Sequence, residues 1–424
     1  MKQFISLTVT ITFCAIPNAT PQATQPDFAA RLKVPPGFVV ELIAAPPLVN
    51  YPMMANFDER GRLFVAESSG LNMKADELLK VLPNKVLLLE DVDAKGRFQK
   101  SRVFADKMTF PSGALPYKGS VYVTAAPHIW KLTERPALTP NPSPGGRGET
   151  TVERTELVSK FNFIGNAADL HGPFLGPDGR IYWCDGRHGH EIRKPDGSIS
   201  KGKAARIFRC KPDGSDVEVV CGGGMDNPVE IAFTDAGEPL VTVDILHNQP
   251  SRNDGIIFAI EGGNYPWHEV SKEFPRTGDL LPAIADLGWV APSGLMRYRS
   301  DTFGKEYRNN LFSAQFNRHR IQRHILERKG ASFTIKTEDF LTTDDKNFHP
   351  TDVFEDADGS LIVIDTGGWF RIGCPTSQIA RPEFKGAIYR IRKEPLPSPS
   401  GRGAGGEGGG AKQPKAPGAP PTPH

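Results

Sequence analysis

The sequence predicts an all-β fold, a six-bladed β-propeller with four-stranded antiparallel blades. Three observations predict it. A short unit recurs, made of a polar turn with glycine followed by an alternating apolar strand. It recurs at a nearly constant period, and it occurs six times. Repeats of this length built from strands are the signature of a propeller.

The unit is plainest at residues 56–67, NFDERGRLFVAE, where residues 58–61 form the turn and Leu63, Phe64 and Val65 lie on the strand. It returns as PDGRIYW at 177–183, DAGEPLV at 235–241 and DADGSLIV at 356–363, and in weaker form as PYKGSVYV at 116–123. The turn glycines Gly61, Gly119, Gly179, Gly237 and Gly359 are 58, 60, 58 and 122 residues apart. The last gap is about two steps. NNLFSA at 309–314 fills it with asparagine, which tolerates left-handed backbone.

Taken in order, residues 1–23 read as an export signal: Lys2, a mostly apolar stretch over 4–16, then Ala19 or Ala23 before a cleavage point. A buried first strand is the alternative. Cys14 invites a lipoprotein reading, which the preceding residues ITF do not support. VVELI at 39–43 is a strand placed to close the ring by joining a sheet from the other end. Blade one follows, with a helical turn at 75–82 and a strand at 85–91. Blade two runs from 108 to 132, and residues 136–149 form a Pro/Gly-rich loop insertion with a near copy at 397–403. Blade three takes 158–163, 179–183 and the hairpin 205–209 with 217–220. Blade four takes 227–233 and 256–260, blade five 294–298 and 310–325, and blade six 349–364 and 386–391. The propeller thus spans 32–392, and the Pro/Gly-rich tail 395–424 stands outside it.

A formal charge of +2 with 24% charged residues points to neither nucleic acid nor an acidic partner. No apolar run reaches the 18 residues of a transmembrane span. Past the signal there are Cys184, Cys210, Cys221 and Cys374, with no Cys-x-x-Cys-His haem site. Cys210 and Cys221 flank the turn at 211–215, so they are either a disulfide or buried thiols.

In a propeller one face of the disc collects loops from every blade, so residues just before each inner strand and just after the next are the site candidates. Here they are unusually polar: Asn166, Asp169, His171, Asp226, Asn227, His349 and Asp352, then Asp185, Arg187, His188, His190, Asp244, His247, Asn248 and Asp365. His171 is singled out, because a neutral imidazole can take a proton from a hydroxyl; the bland alternative is a histidine capping a loop. His188 and His190 resemble a metal pair but are better read as structural. The Asp and Asn supply suits calcium, although no calcium-loop spacing is present. Residues 317–324, NRHRIQRH, read as a basic strand with Arg318 and Arg320 on one face, either toward an anionic cofactor or toward solvent.

GPDGRIYW (176–183) after His171 and GGNYPWHE (262–269) resemble the Gly-Pro-Asp-Gly and Asn-Tyr-Gly-Trp-Pro signatures of the soluble quinoprotein glucose and sorbosone dehydrogenases. Residues 244–268 with 349–375 are similar to the membrane-bound dehydrogenase domain of planctomycete and verrucomicrobial proteins. The resemblance implies a six-bladed propeller that binds pyrroloquinoline quinone (PQQ) and calcium and oxidises a sugar or polyol hydroxyl. It implies His171 as the base, Asn227 beside the cofactor, Tyr265 in the aromatic run, and Arg318 or Arg320 as its cationic contact. Asp226 stands where that family has arginine, Pro266 replaces its glycine and His268 its proline. The expected protein is exported to the periplasm or the medium, takes a small-molecule substrate and passes electrons to an external acceptor. A propeller that binds carbohydrate or protein without chemistry, and a calcium-dependent lactonase-like hydrolase, are the rival readings.

Overall fold

The computed structural model describes residues 29–136, 150–165, 168–194, 196–247, 251–370 and 379–394. The expected signal, the loop insertion from 137 onward, the tail, Asn166, Asn248 and Cys374 lie outside the described residues. Six four-stranded antiparallel sheets follow one another along the chain and form a six-bladed propeller. The inner strands are Pro52–Phe57, Pro111–Tyr117, Leu170–Leu175, Asn227–Phe233, Pro292–Arg297 and Pro350–Glu355.

The second strand of each blade has both faces covered by neighbouring blades. Leu63–Glu67, Ile181–Asp185, Leu311–Gln315 and Leu361–Asp365 are therefore buried at every residue, and, Ser313 apart, they read as apolar runs ending in one polar residue. Outer strands such as Thr150–Ser159 and Ser332–Leu341 face solvent and carry mixed sequence. The five turn glycines all have positive φ, between +73° and +81°, and Asn309 has φ +65°, so the sixth turn uses asparagine as expected.

Phe38–Ala44 closes the ring. It pairs with Ala387–Lys393 as the outermost strand of blade six, from Phe38↔Lys393 to Ala44↔Ile388. Two assignments change. Val158 lies on the outer strand of blade two, which resumes at Thr150 after the insertion, and so does not open blade three. The run 317–324 is not one strand: Phe316–Arg318 is a 3-10 turn, His319 has φ +54°, and the strand begins at Arg320. Arg318 and Arg320 therefore do not share a strand face.

Cys210 and Cys221 are free and buried. Cys221 packs with Cys184, Tyr265 and Val243, whereas Cys210 packs with Trp183, Phe208 and Val217 on the other side of blade three. A disulfide between them is ruled out by the sheet that separates them, and the buried-thiol alternative holds for all three described cysteines. Among the described residues no helix is long and apolar enough to cross a membrane.

Candidate functional site

At the upper rim of the disc, where the inner strands begin, the first residue of each inner strand pairs with a residue near the end of the second strand. The pairs are Pro52↔Glu67, Pro111↔Ala125, Leu170↔Asp185, Asn227↔Asp244, Pro292↔Gln315 and Pro350↔Asp365. Five of the six blades thus place a carboxylate or amide on the same rung. The sequence reading named Asp185, Asp244 and Asp365 but missed Glu67 and Gln315. The signal was there, as the polar residue that ends each buried strand.

In blade three His171 is the second residue of the inner strand, 7% exposed and opposite Cys184. Asp169 precedes the strand and turns away from it. Its two carboxylate oxygens accept from the amides of Ile164 and Gly165 at 2.9 and 2.8 Å, and its Oδ1 lies 3.9 Å from His188 Nε2. Asp169 is thus a loop anchor. The paired histidines diverge. His190 is buried, with Nδ1 3.4 Å from Asp185 and Nε2 3.3 Å from Ser200 Oγ. Burial and then the nearby Arg206 guanidinium press its pKa down to about 4, so it is a neutral structural group. Burial pushes the Asp185 carboxyl well above its ordinary range, only partly opposed by Arg206.

Blade four supplies Asn227, buried at the start of its inner strand, and Asp226 just before it. Asp226 is ion-paired with Arg187 from blade three, and Asp226 O accepts from Arg187 N at 3.2 Å. The half-exposed Arg187 guanidinium lies 5.4 Å from the Trp267 ring centroid. The rim therefore keeps an arginine beside Asn227 although the sequence has an acid before it. Arg187 comes from 39 residues away, a pairing that no local motif announces. Arg252 likewise bridges Asp244 and Asp254 and lies 5.2 Å from the Trp289 ring centroid.

On blade five Arg318 is exposed, and among the described residues it makes no ion pair. Arg320 is engaged, donating to Gln315 Oε1 at 2.8 Å and lying 3.0 Å from Asp339. His319 and His349 meet at 4.8 Å between ring centroids. His349 Nδ1 lies 2.7 Å from Gly367 O, so it carries the proton and donates it there. Burial, then His319, lowers the His349 pKa to about 4. The blade-one, blade-two and blade-six side of the rim is apolar, with Tyr51, Met53, Phe110 and Trp369 packed together.

The structure brings His171, Asp226, Asn227 and Arg318 to the upper rim, but it does not bring Tyr265 there. Tyr265 is fully buried in the core, with its hydroxyl donating to Phe258 O at 2.7 Å and accepting from Ile260 N at 3.1 Å. Its backbone oxygen lies 1.9 Å from where a Cβ on Gly224 would sit, and Gly224 has φ +74°. Gly224→Ala is therefore expected to cost about 2–3 kcal/mol in urea unfolding, from left-handed strain plus a clash with backbone that no rotamer relieves. It should also weaken the site, since Gly224 O accepts from Trp267 N at 3.0 Å and Asp226 follows two residues on. A neutral substitution would overturn this account of the loop.

Burial lifts the Asp365 carboxyl to about 7, against hydrogen bonds from His349 N and Gly367 N that pull it down. A carboxyl with a higher pKa in the folded chain keeps its proton while the unfolded chain loses it. Its contribution to stability is full at low pH, falls as pH rises from about 4 to about 7, and stays lost above. Asp365→Asn keeps an acceptor oxygen and removes this dependence. Its stability relative to wild type should rise by about 1 kcal/mol or more between pH 5 and pH 8. An unchanged difference would show that the carboxyl ionises freely.

Among the described residues no three His, Cys, Asp or Glu side chains gather as a metal cluster, so the expected calcium has no visible cage. The cavity enclosed by the inner strands, about 550 Å³, reaches the opposite face of the disc, where the glycine turns lie, and none of the predicted site residues line it.

A family model described as a domain of unknown function (DUF7133) matches residues 25–393. No curated protein matches the sequence significantly. Among solved structures, an oxidoreductase of Thermus thermophilus described as a glucose dehydrogenase superposes with a TM-score of 0.53 at 17% identity, covering 84% of this chain and 99% of that one. The PQQ-bound aldose sugar dehydrogenase of Streptomyces coelicolor does so with a TM-score of 0.50 at 17% identity, covering 85% and 100%. At such identities the likeness establishes a shared propeller fold.

Proposed function

Because the chain belongs to the DUF7133 family, whose description assigns no activity, its chemistry is argued from its own residues, and we propose that it is a quinoprotein-like dehydrogenase oxidising a sugar or polyol hydroxyl. The observation that carries this is the makeup of the upper rim. It holds an imidazole, His171, and a buried amide, Asn227, beside a guanidinium on an indole face, Arg187 on Trp267. Exposed Arg318 adds a second cation. A flat polyanion such as PQQ needs such groups: positive charge, an amide donor and an aromatic face. The donor set fits it, because the acid that stands in place of the expected arginine is itself paired with one.

Bound there, the quinone would supply the hydride acceptor. His171 would take the hydroxyl proton, as a neutral imidazole can. Asn227 would fix orientation through its amide, and Arg187 and Arg318 would balance anionic charge. Arg320 plays a supporting part, holding Gln315 on the rim. Export, an external electron acceptor and kinship with the planctomycete and verrucomicrobial dehydrogenase domain belong to the same proposal.

The second reading is a carbohydrate-binding propeller without chemistry. What favours it is that Asp226 offsets part of the Arg187 charge. The experiment is a titration of metal-free protein with PQQ, with and without calcium, followed by dye reduction across a broad sugar and polyol panel. A rise in melting temperature with quinone and dye reduction on any substrate support the dehydrogenase. No reduction across the panel overturns it, and a shift with sugar alone favours the binding propeller.

A further inference from the structure

The axial cavity on the turn face is a separate site. All six blades line it, through Asn56, Leu115, Phe174, Glu230, Leu295 and Asp356. Its walls mix apolar side chains, Phe174, Leu295 and Met296 among them, with charged and amide groups, and its volume of about 550 Å³ is that of a small-ligand pocket. The acids at its rim, and Arg297 with them, are already engaged. Arg297 holds Asp235 at 2.6 Å, Glu355 accepts from the amides of Arg299 and Ser300 at 2.8 Å each, and Asp356 lies 3.0 Å from Arg390.

Glu230 is the exception. It is 8% exposed, and its carboxyl takes a hydrogen bond from the backbone of Leu295. Its Oε2 is fully buried and has no hydrogen-bond partner among the described residues. The charged group that acts on it is another acid, Asp352 on the inner strand of blade six, whose Oδ2 accepts from Ala55 N at 2.9 Å. A buried acceptor left without a donor costs about 1–3 kcal/mol. A ligand that brings a donor and a positive charge removes that cost and stabilises Glu230 as a carboxylate beside Asp352. A metal ion is the poorer fit, since it needs more oxygen ligands than two acids provide and no cluster of three gathers among the described residues.

We propose that this cavity is a receptor for a small organic ammonium ion, with its charged head on Glu230 and its apolar body along Phe174, Leu295 and Met296. Burial and the neighbouring Asp352 hold the empty Glu230 carboxyl protonated well above its ordinary range, so binding exchanges a proton for the ammonium. Arg299 at the rim opposes the cation and Glu355 and Asp356 favour it. The site does not depend on the dehydrogenase reading.

The test uses the full chain at pH 6 with n-hexylammonium chloride, 1-hexanol and calcium chloride as probes. Melting temperature and calorimetric titration in buffers of different ionisation enthalpy are the readouts. The expected result is a rise in melting temperature with hexylammonium only, proton release on binding, and affinity at least tenfold weaker in Glu230→Gln. An equal response to hexanol, a response to calcium alone, or unchanged affinity in Glu230→Gln overturns it. Proton release is read on the unmodified protein, so the test holds if the variant fails to fold: hexylammonium binding without it overturns the proposal.

Discussion

Replacing His171 with Asn is expected to lower quinone-dependent dye reduction by about 10²–10⁴-fold, the usual loss when a general base is removed. Stability should fall as well, because His171 is 7% exposed, lies opposite Cys184 of one apolar cluster and follows Leu170 of another, so turnover is compared per folded molecule. Quinone binding, read as a rise in melting temperature, should persist in the variant, since the cationic groups remain. The competing base is His349. It is neutral, with Nδ1–H given to Gly367 O, so its Nε2 is an acceptor. But it is 2% exposed and packed against Phe316 and His319, at 4.7 and 4.8 Å between ring centroids. A base must reach the proton it takes, and a histidine held between two rings has no room for a sugar. His349→Gln should therefore cost stability more than turnover. If instead turnover survives in His171→Asn and falls in His349→Gln, the base is His349 and the substrate lies on the blade-six side of the rim.

Those two histidines show what the sequence could and could not reveal. The glycine turns were readable because left-handed backbone restricts the residue type, and the period then located six inner and second strands. Outer strands were less readable, since half-exposed strands carry mixed sequence and one begins only past the insertion that follows Pro136. The rim position of His171 followed from the repeat alone. The behaviour of its neighbours did not. Asp169 binds backbone amides, Asp226 binds an arginine from the previous blade, and Tyr265 gives its hydroxyl to Phe258 O. The second is a tertiary contact, and the other two are loop contacts between residues of ordinary type that follow no recurring spacing. The basic run failed for a related reason. Its alternation is broken where Asn317 N bonds to Val290 O and His319 turns left-handed, and nothing in NRHR marks that turn.

Removing residues 1–44 is expected to abolish cooperative folding, although every inner strand and every rim residue would remain. Phe38–Ala44 supplies the fourth strand of blade six and joins the two ends of the chain. Phe38 is buried among three aromatic rings of blade five, with centroids 4.8 Å from Phe303, 5.2 Å from Phe340 and 5.5 Å from Tyr307. Ile43 packs with Ile364 and Ile388, and Val40 and Leu42 are partly buried against the blade-five and blade-six core. At roughly 1.5–3 kcal/mol for each large side chain, discounted for partial exposure, the loss is on the order of 5–10 kcal/mol. That is comparable to the whole stability of a typical domain, about 5–15 kcal/mol. The same deletion bares the edge of Ala387–Lys393, an invitation to pair with another chain. The truncated protein should therefore aggregate or unfold without a transition, and a synthetic peptide of residues 29–44 added during refolding should restore a sigmoidal urea curve. If the truncated chain instead unfolds cooperatively at nearly the same urea concentration, the ring is held by contacts near its axis alone. Such contacts run between blades, from Thr242 Oγ1 to Ser293 O and from Ser293 Oγ to Pro350 O, each at 3.0 Å, and from Ala55 N to Asp352 Oδ2 at 2.9 Å. The first two join blades four, five and six, which the chain already connects in succession, and the third ties blade six to blade one by a single hydrogen bond. The junction of blade six with blade one is where the first strand is needed, because only there does no continuous chain carry one blade into the next.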